Sequence, residues 1–143
     1  MKVKRIDHIV LTVQDVDRAA HWYHSVFGMD IVVRDDGQKA LEFGEDGFRQ
    51  RIQLLALNSR STPRSQAPTR GAGHLCLVAN IPLTELLDQL RRENIEMVLP
   101  TAVRREGAMG PTESVFVKDP DGNLVEIADY PHDLRNEQFE RYN

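Results

Sequence analysis

The sequence predicts an α+β protein: two tandem βαβββ modules whose strands form a curved mixed sheet, open as a cup, with the helices on its outer face. Three observations carry this. A β-branched run, an amphipathic helical stripe and three further strand-like runs occur in that order, then occur again. A stretch rich in Ser, Thr, Pro, Arg and Gly, residues 58–72, separates the two sets and has no hydrophobic period. Landmarks also recur at fixed offsets. His8 and His74 lie 66 residues apart, and Gly28 and Asn94 each follow their histidine by twenty. Met29-Asp30-Ile31-Val32 matches Ile95-Glu96-Met97-Val98, and Ile52-Gln53-Leu54 matches Val125-Glu126-Ile127. The reading is one domain, 1–143, with modules 4–57 and 73–130, the linker 58–72, and a polar tail 131–143.

Each element has a local cause. Ile6 to Val13 is β-branched and reads as a strand; period-2 alternation puts His8, Val10 and Thr12 on one face. Asp15 is placed to cap a helix running to about Phe27, with Val16, Ala19, Ala20, Tyr23 and Phe27 as its apolar stripe and Gly28 as its C′ residue. Met29–Arg34, Lys39–Phe43 and Phe48–Ala56 read as three strands separated by glycine-containing turns. In the second half His74–Val78 is a strand with His74, Cys76 and Val78 on one face. Pro82–Glu93 is a helix with a stripe of Leu83, Leu86, Leu87 and Leu90. Met97–Leu99, together with Val103, is expected as the next strand. Glu106–Pro111 is expected as a Gly-rich loop, Glu113–Lys118 and Leu124–Ala128 as the last two strands. Gln53 follows His8 by 45 residues and Glu126 follows His74 by 52, and the Gly-rich loop is expected to hold the difference.

Bulk properties exclude several classes. A net charge of −4, with both signs mixed along the chain, gives no footprint for nucleic acid and no basic membrane patch. No apolar run approaches a membrane span, and the charged N-terminus lacks the apolar core of a signal peptide. The one cysteine, Cys76, has no internal partner, so a reducing cytoplasm is the expected location.

The chemistry concentrates where each module repeats a polar residue. Glu126 interrupts the apolar run Leu124-Val125-Glu126-Ile127, which follows the turn Asp119-Pro120-Asp121-Gly122. A carboxylate in such a run is costly to bury unless it is paired, protonated or metal-bound. If the first and last strands of each half are neighbours, His8 meets Gln53 and His74 meets Glu126. Two imidazoles, one carboxylate and one amide oxygen suit a borderline divalent metal. Glu126, as the only carboxylate of that set, is the expected proton-transferring base. Thr12, Cys76 and Phe116 are the expected substrate-lining residues, Thr12 and Cys76 because alternation places them on the cup face. His21, His24 and His132 are expected at the surface, Trp22 and Tyr23 in helix packing, and Arg60, Arg64 and Arg70 as solubilising charges of the linker.

The doubled pattern, with Ile6-Asp7-His8-Ile9, Tyr23 and Phe27-Gly28-Met29, Gly73-His74 and the run from Asp119 to Glu126, resembles the vicinal oxygen chelate superfamily over residues 4 to 130. That superfamily includes glyoxalase I, fosfomycin resistance proteins, extradiol dioxygenases and bleomycin resistance proteins. Gly110-Pro111 and the stretch Ser114 to Pro120 are most similar to small glyoxalase-domain proteins related to glyoxalase-domain-containing protein 5, virulence-associated bacterial members among them. The resemblance implies metal ligands at His8, Gln53, His74 and Glu126, and a divalent metal: nickel, cobalt, zinc, manganese or iron. It implies a lactoylglutathione-lyase-related reaction on a small substrate with vicinal oxygens, through a metal-stabilised enediolate or alkoxide, with glutathione as a candidate co-substrate. It also implies a homodimer with sites at or near the interface. The same metal set would serve a ring-cleaving dioxygenase or a fosfomycin-resistance-type thiol transferase, and the same cup a non-catalytic protein that sequesters a ligand. Three positions depart from bacterial glyoxalase I: Gln53 replaces a glutamate, Thr12 an arginine that holds glutathione, and Leu57 an asparagine.

Overall fold

The computed structural model describes residues 1–130; the expected tail, with His132, lies outside the described residues. The elements run β1 (His8–Val13), α1 (Val16–Phe27), β2 (Asp30–Val33), β3 (Lys39–Phe43), β4 (Gln50–Ala56), β5 (His74–Val78), α2 (Leu83–Arg92), β6 (Val103–Gly107), β7 (Gly110–Lys118) and β8 (Leu124–Asp129). They build two four-stranded mixed sheets, β1-β4-β3-β2 and β5-β8-β7-β6. In each sheet the first strand lies parallel to the last and the other pairings are antiparallel. This is the βαβββ order, twice. The chain divides into two units, residues 1–73 with 119–123, and residues 74–118 with the chain from Leu124 onward.

In the first unit, alternation sorts the sheet into a buried and an open face. Leu11, Val13, Leu41, Ile52 and Leu54 are buried. Helix α1 packs on β2, β3 and β4 through Ala19, Ala20, Tyr23 and Val26. Val26, not Phe27, ends the buried stripe; Phe27 is half-exposed and sets its ring edge-on to Trp22. The Asp15 Oδ1 accepts the Arg18 N–H at 3.0 Å, and Gly28 ends the helix in the left-handed region at φ 64°.

The Asp-Pro-Asp-Gly-Asn turn belongs to this unit. The buried Asp119 carboxylate accepts the N–H groups of Asp121 and Asn123 at 2.9 Å, and the Asn123 amide and the Tyr23 hydroxyl at 2.8 Å. Every lone pair of the buried anion is thereby used, which makes its burial tolerable. Burial, then the Asp119 charge, pushes the Tyr23 phenol far above its ordinary range. The Gln14 N–H donates to Asp121 Oδ1 at 2.8 Å, and the Gly73 N–H to Asn123 Oδ1 at 2.7 Å. A Cβ on Gly73 would sit 2.8 Å from that amide oxygen, and one on Gly71 2.7 Å from the Asp121 carbonyl. Those approaches are why glycines precede His74. Arg64, expected as a solvated charge, instead donates to the carbonyls of Ala56, Leu57 and Ser59 and secures the exit from β4.

In the second unit, Leu86 and Leu90 of α2 are buried. Pro82 has no side-chain donor or acceptor for a cap, so Asp129 of β8 accepts the Leu83 N–H at 2.9 Å. The strand expected at Met97–Leu99 does not form. Only Met97 makes an isolated bridge, to Val117, because Pro100 lacks an N–H and restricts the residue before it. The strand begins at Val103 instead. The expected Gly-rich loop is also corrected. Glu106 and Gly107 pair with Pro111 and Gly110 around a two-residue turn, Ala108-Met109. The surplus length of this module is therefore held in a longer hairpin, with nine residues in β7 against five in β3. Gly107 is required there, since a Cβ would fall 2.1 Å from the Tyr130 hydroxyl oxygen, which accepts the Met109 N–H at 3.1 Å.

Candidate functional site

The two modules present two half-sites built by one rule. In the first, His8 of β1 stands opposite Arg51 of β4, and Gln53 lies two residues further along the same face. In the second, His74 of β5 stands opposite Leu124 of β8, and Glu126 lies two residues further along. The parallel pairing of first and last strands is what makes the two arrangements match. Among the described residues, no group of three or more His, Cys, Asp or Glu side chains is assembled that could hold a metal ion.

In the second half-site, His74 Nε2 lies 3.9 Å from Glu126 Oε2. That is beyond hydrogen-bonding distance and about 0.5 Å wider than the ~3.4 Å between two ligands of one tetrahedral ion, so the two side chains would close slightly on a shared metal. The Glu126 side chain is 15% exposed and the His74 ring 58%, so the carboxylate is recessed and the imidazole stands at the rim. Phe116 is buried opposite Glu126, presents its ring to the His74 ring at a 64° tilt, and has the Arg105 guanidinium 5.3 Å from its centroid. Cys76 is paired with Glu126 across the ladder. Desolvation, then the Glu126 charge, pushes its thiol up to about 11. The thiol of this exposed cysteine is thus protonated at physiological pH, which lowers its reactivity.

In the first half-site, His8 Nδ1 lies 2.8 Å from Asp7 Oδ2. A carboxylate only accepts, so Nδ1 carries a proton, and Nε2 is the ring nitrogen left to face a metal. That hydrogen bond is also the main cause that holds the Asp7 carboxyl below its ordinary range. Gln53 is half-buried, and its Oε1 accepts Arg34 Nη1 at 2.8 Å. Thr12 shares the His8 face, opposite Leu55. The donor chemistry of His8, His74 and Glu126 therefore suits a divalent metal, whereas the Gln53 oxygen is already engaged. Asp7 and Arg34 were not singled out in the sequence. Asp7 adjoins His8 and was open to discovery; Arg34 reaches Gln53 only through the β2-β3-β4 order.

A tandem repeat that displays one imidazole and one second polar donor at the same register in each half defines a duplicated βαβββ protein. This chain belongs to the Glyoxalase/Bleomycin resistance protein/Dioxygenase superfamily, whose Glyoxalase family matches residues 5–127. It is 35% identical over 130 residues to Virulence protein STM3117 of Salmonella typhimurium, spanning 91% of this chain and 87% of that protein. The crystal structure of STM3117 superposes with a TM-score of 0.85, covering 92% of this chain and 100% of that one. Glyoxalase domain-containing protein RDO1 of Mycosarcoma maydis is likewise 35% identical over 130 residues, 91% of this chain and 70% of that protein. A lactoylglutathione lyase from Agrobacterium tumefaciens is 25% identical with a TM-score of 0.64, covering 90% of this chain and 96% of that one. Among the described residues no helix is long and apolar enough to cross a membrane.

Proposed function

We propose that the chain is a metal-dependent glyoxalase-like enzyme acting on a small substrate with two adjacent oxygens. The observation that carries this is the recessed carboxylate of Glu126 with the His74 Nε2 nearby at 3.9 Å, a pair matched in register by His8 and Gln53 in the other half. His8 through Nε2, His74 and Glu126 would hold a divalent metal, with Gln53 as the fourth polar group. When bound, such an ion polarises vicinal oxygens of the substrate and disperses the negative charge that develops on them. Glu126 then takes a proton from the carbon beside the polarised carbonyl and returns it to the neighbouring position. Its partial burial against Phe116 keeps bulk water from competing for that proton. Phe116 and Cys76 supply an apolar wall, and Thr12 a hydroxyl on the opposite half-site. The halves are proposed to complete one another in a homodimer.

The test is metal content of the purified protein, followed by turnover with methylglyoxal and glutathione. About one metal per half-site pair is expected. Glu126→Gln is expected to lower turnover by at least about 10²-fold with the fold intact, the scale of a lost general base. Full turnover in that variant would remove the mechanism. A second reading is favoured by the engagement of Gln53 with Arg34. It leaves two histidines and one carboxylate, a triad suited to ferrous iron and ring-cleaving oxygenation. Iron in the purified protein, with oxygen uptake on a catechol, would select it.

A further inference from the structure

We infer that Gln53 is a hydrogen-bond donor to substrate and not a metal ligand, and that Arg34 makes it so. This rests on the metal reading above. A guanidinium donates and never accepts, so the Gln53 atom 2.8 Å from Arg34 Nη1 is the amide oxygen. A primary amide is planar, with its oxygen and its NH₂ on opposite edges. Once the oxygen is committed to Arg34, the other edge presents two N–H donors. A metal needs a free lone pair: that edge has none, and the second lone pair of the oxygen lies beside the guanidinium, whose charge repels a cation there.

The ladder explains why Arg34 can do this. Val32 pairs with Ala40, and Ala40 with Gln53, so residues 32, 40 and 53 form one row across β2, β3 and β4. Arg34 is two residues beyond Val32, on the same face. Ala40, fully buried and ending at Cβ, leaves the space above β3 through which the guanidinium reaches Gln53. Asp36 Oδ2, 3.6 Å from Arg34 Nη2, balances the charge and restrains the other edge of the fork. Arg34 is thus a positioning residue. The group it positions is complementary to a substrate oxygen that only accepts, a carbonyl or carboxylate, and disfavours a hydroxyl that must donate.

Cobalt(II) titration, followed by calorimetry and by the visible spectrum, tests this on wild type, Gln53→Ala, Arg34→Met and Arg34→Lys. Gln53→Ala is expected to keep the wild-type cobalt spectrum and an affinity within about threefold, where loss of a ligand or its support costs about tenfold or more. Arg34→Met frees the amide to turn its oxygen inward, so its spectrum is expected to change as a further ligand joins. Arg34→Lys keeps a donor-only cation and is expected to match wild type. A tenfold weaker Gln53→Ala with wild-type cobalt uptake overturns this inference alone. An Arg34→Met spectrum identical to wild type overturns the role of Arg34. No cobalt uptake by wild type overturns the metal reading and this inference with it.

Discussion

Tyr23 shows how much one side chain contributes away from the site. It is fully buried, and its hydroxyl is one of four donors on the buried Asp119 carboxylate. Its folded-state pKa is raised above the ordinary 10.0, so the folded protein keeps a proton that the unfolded chain releases. The stability this contributes is fully present below pH ~10 and declines as pH rises beyond it. Tyr23→Phe is therefore expected to cost ~1.5–3 kcal/mol at neutral pH, the scale of a hydrogen bond to a charged group, while flattening the loss of stability in alkali. Urea melts of both proteins at pH 7 and pH 10.5 check both halves of the statement. At this scale the sequence disclosed which residues share a strand face, His8 with Thr12 on β1 and His74 with Cys76 on β5, because strands have a period of two. It did not disclose Arg34 or Asn123, whose partners lie 19 and 50 residues away and depend on sheet order.

The elements were legible where a local signal exists. Asp15, Gly28 and the alanine-tyrosine stripe mark the span of α1, and Lys39–Phe43 and His74–Val78 are the observed strands. The misreadings are equally local in cause. Glu106–Pro111 looks like a loop because of its glycines, yet those glycines close a hairpin, one of them beneath Tyr130. Gly107→Ala is expected to destabilise by ~1–3 kcal/mol, the range for overpacking, and to raise amide exchange first at Met109. A thermal melt with hydrogen exchange checks it. The Gly73 N–H bonded to Asn123 ties the origins of the two strands that carry His74 and Glu126. Asn123→Ala removes that bond and the one to Asp119. It is expected to cost ~1–3 kcal/mol and to weaken metal uptake about tenfold, through a lost supporting contact. Calorimetry with cobalt reads the second effect apart from the first.

At the scale of the molecule, duplication was the most legible property, because offsets between landmarks survive even where single elements are misjudged. Completion of the donor set by a second copy is tested by mixing. His8→Ala and His74→Ala chains are each expected to be inactive alone. Unfolded and refolded together, they are expected to recover about a quarter of wild-type activity if each set draws one half from each chain, since half the dimers are mixed and one of their two sites is intact. No recovery would place both halves of each set in the same chain.

The turn at Asp119–Asn123 has a further consequence. Five residues from late in the chain are counted with the first 73, anchored to Tyr23, Gln14 and Gly73. Scission within the linker would therefore not release two self-sufficient halves. A fragment ending before His74 would keep a buried tyrosine hydroxyl and two backbone amides, those of Gln14 and Gly73, without their acceptors.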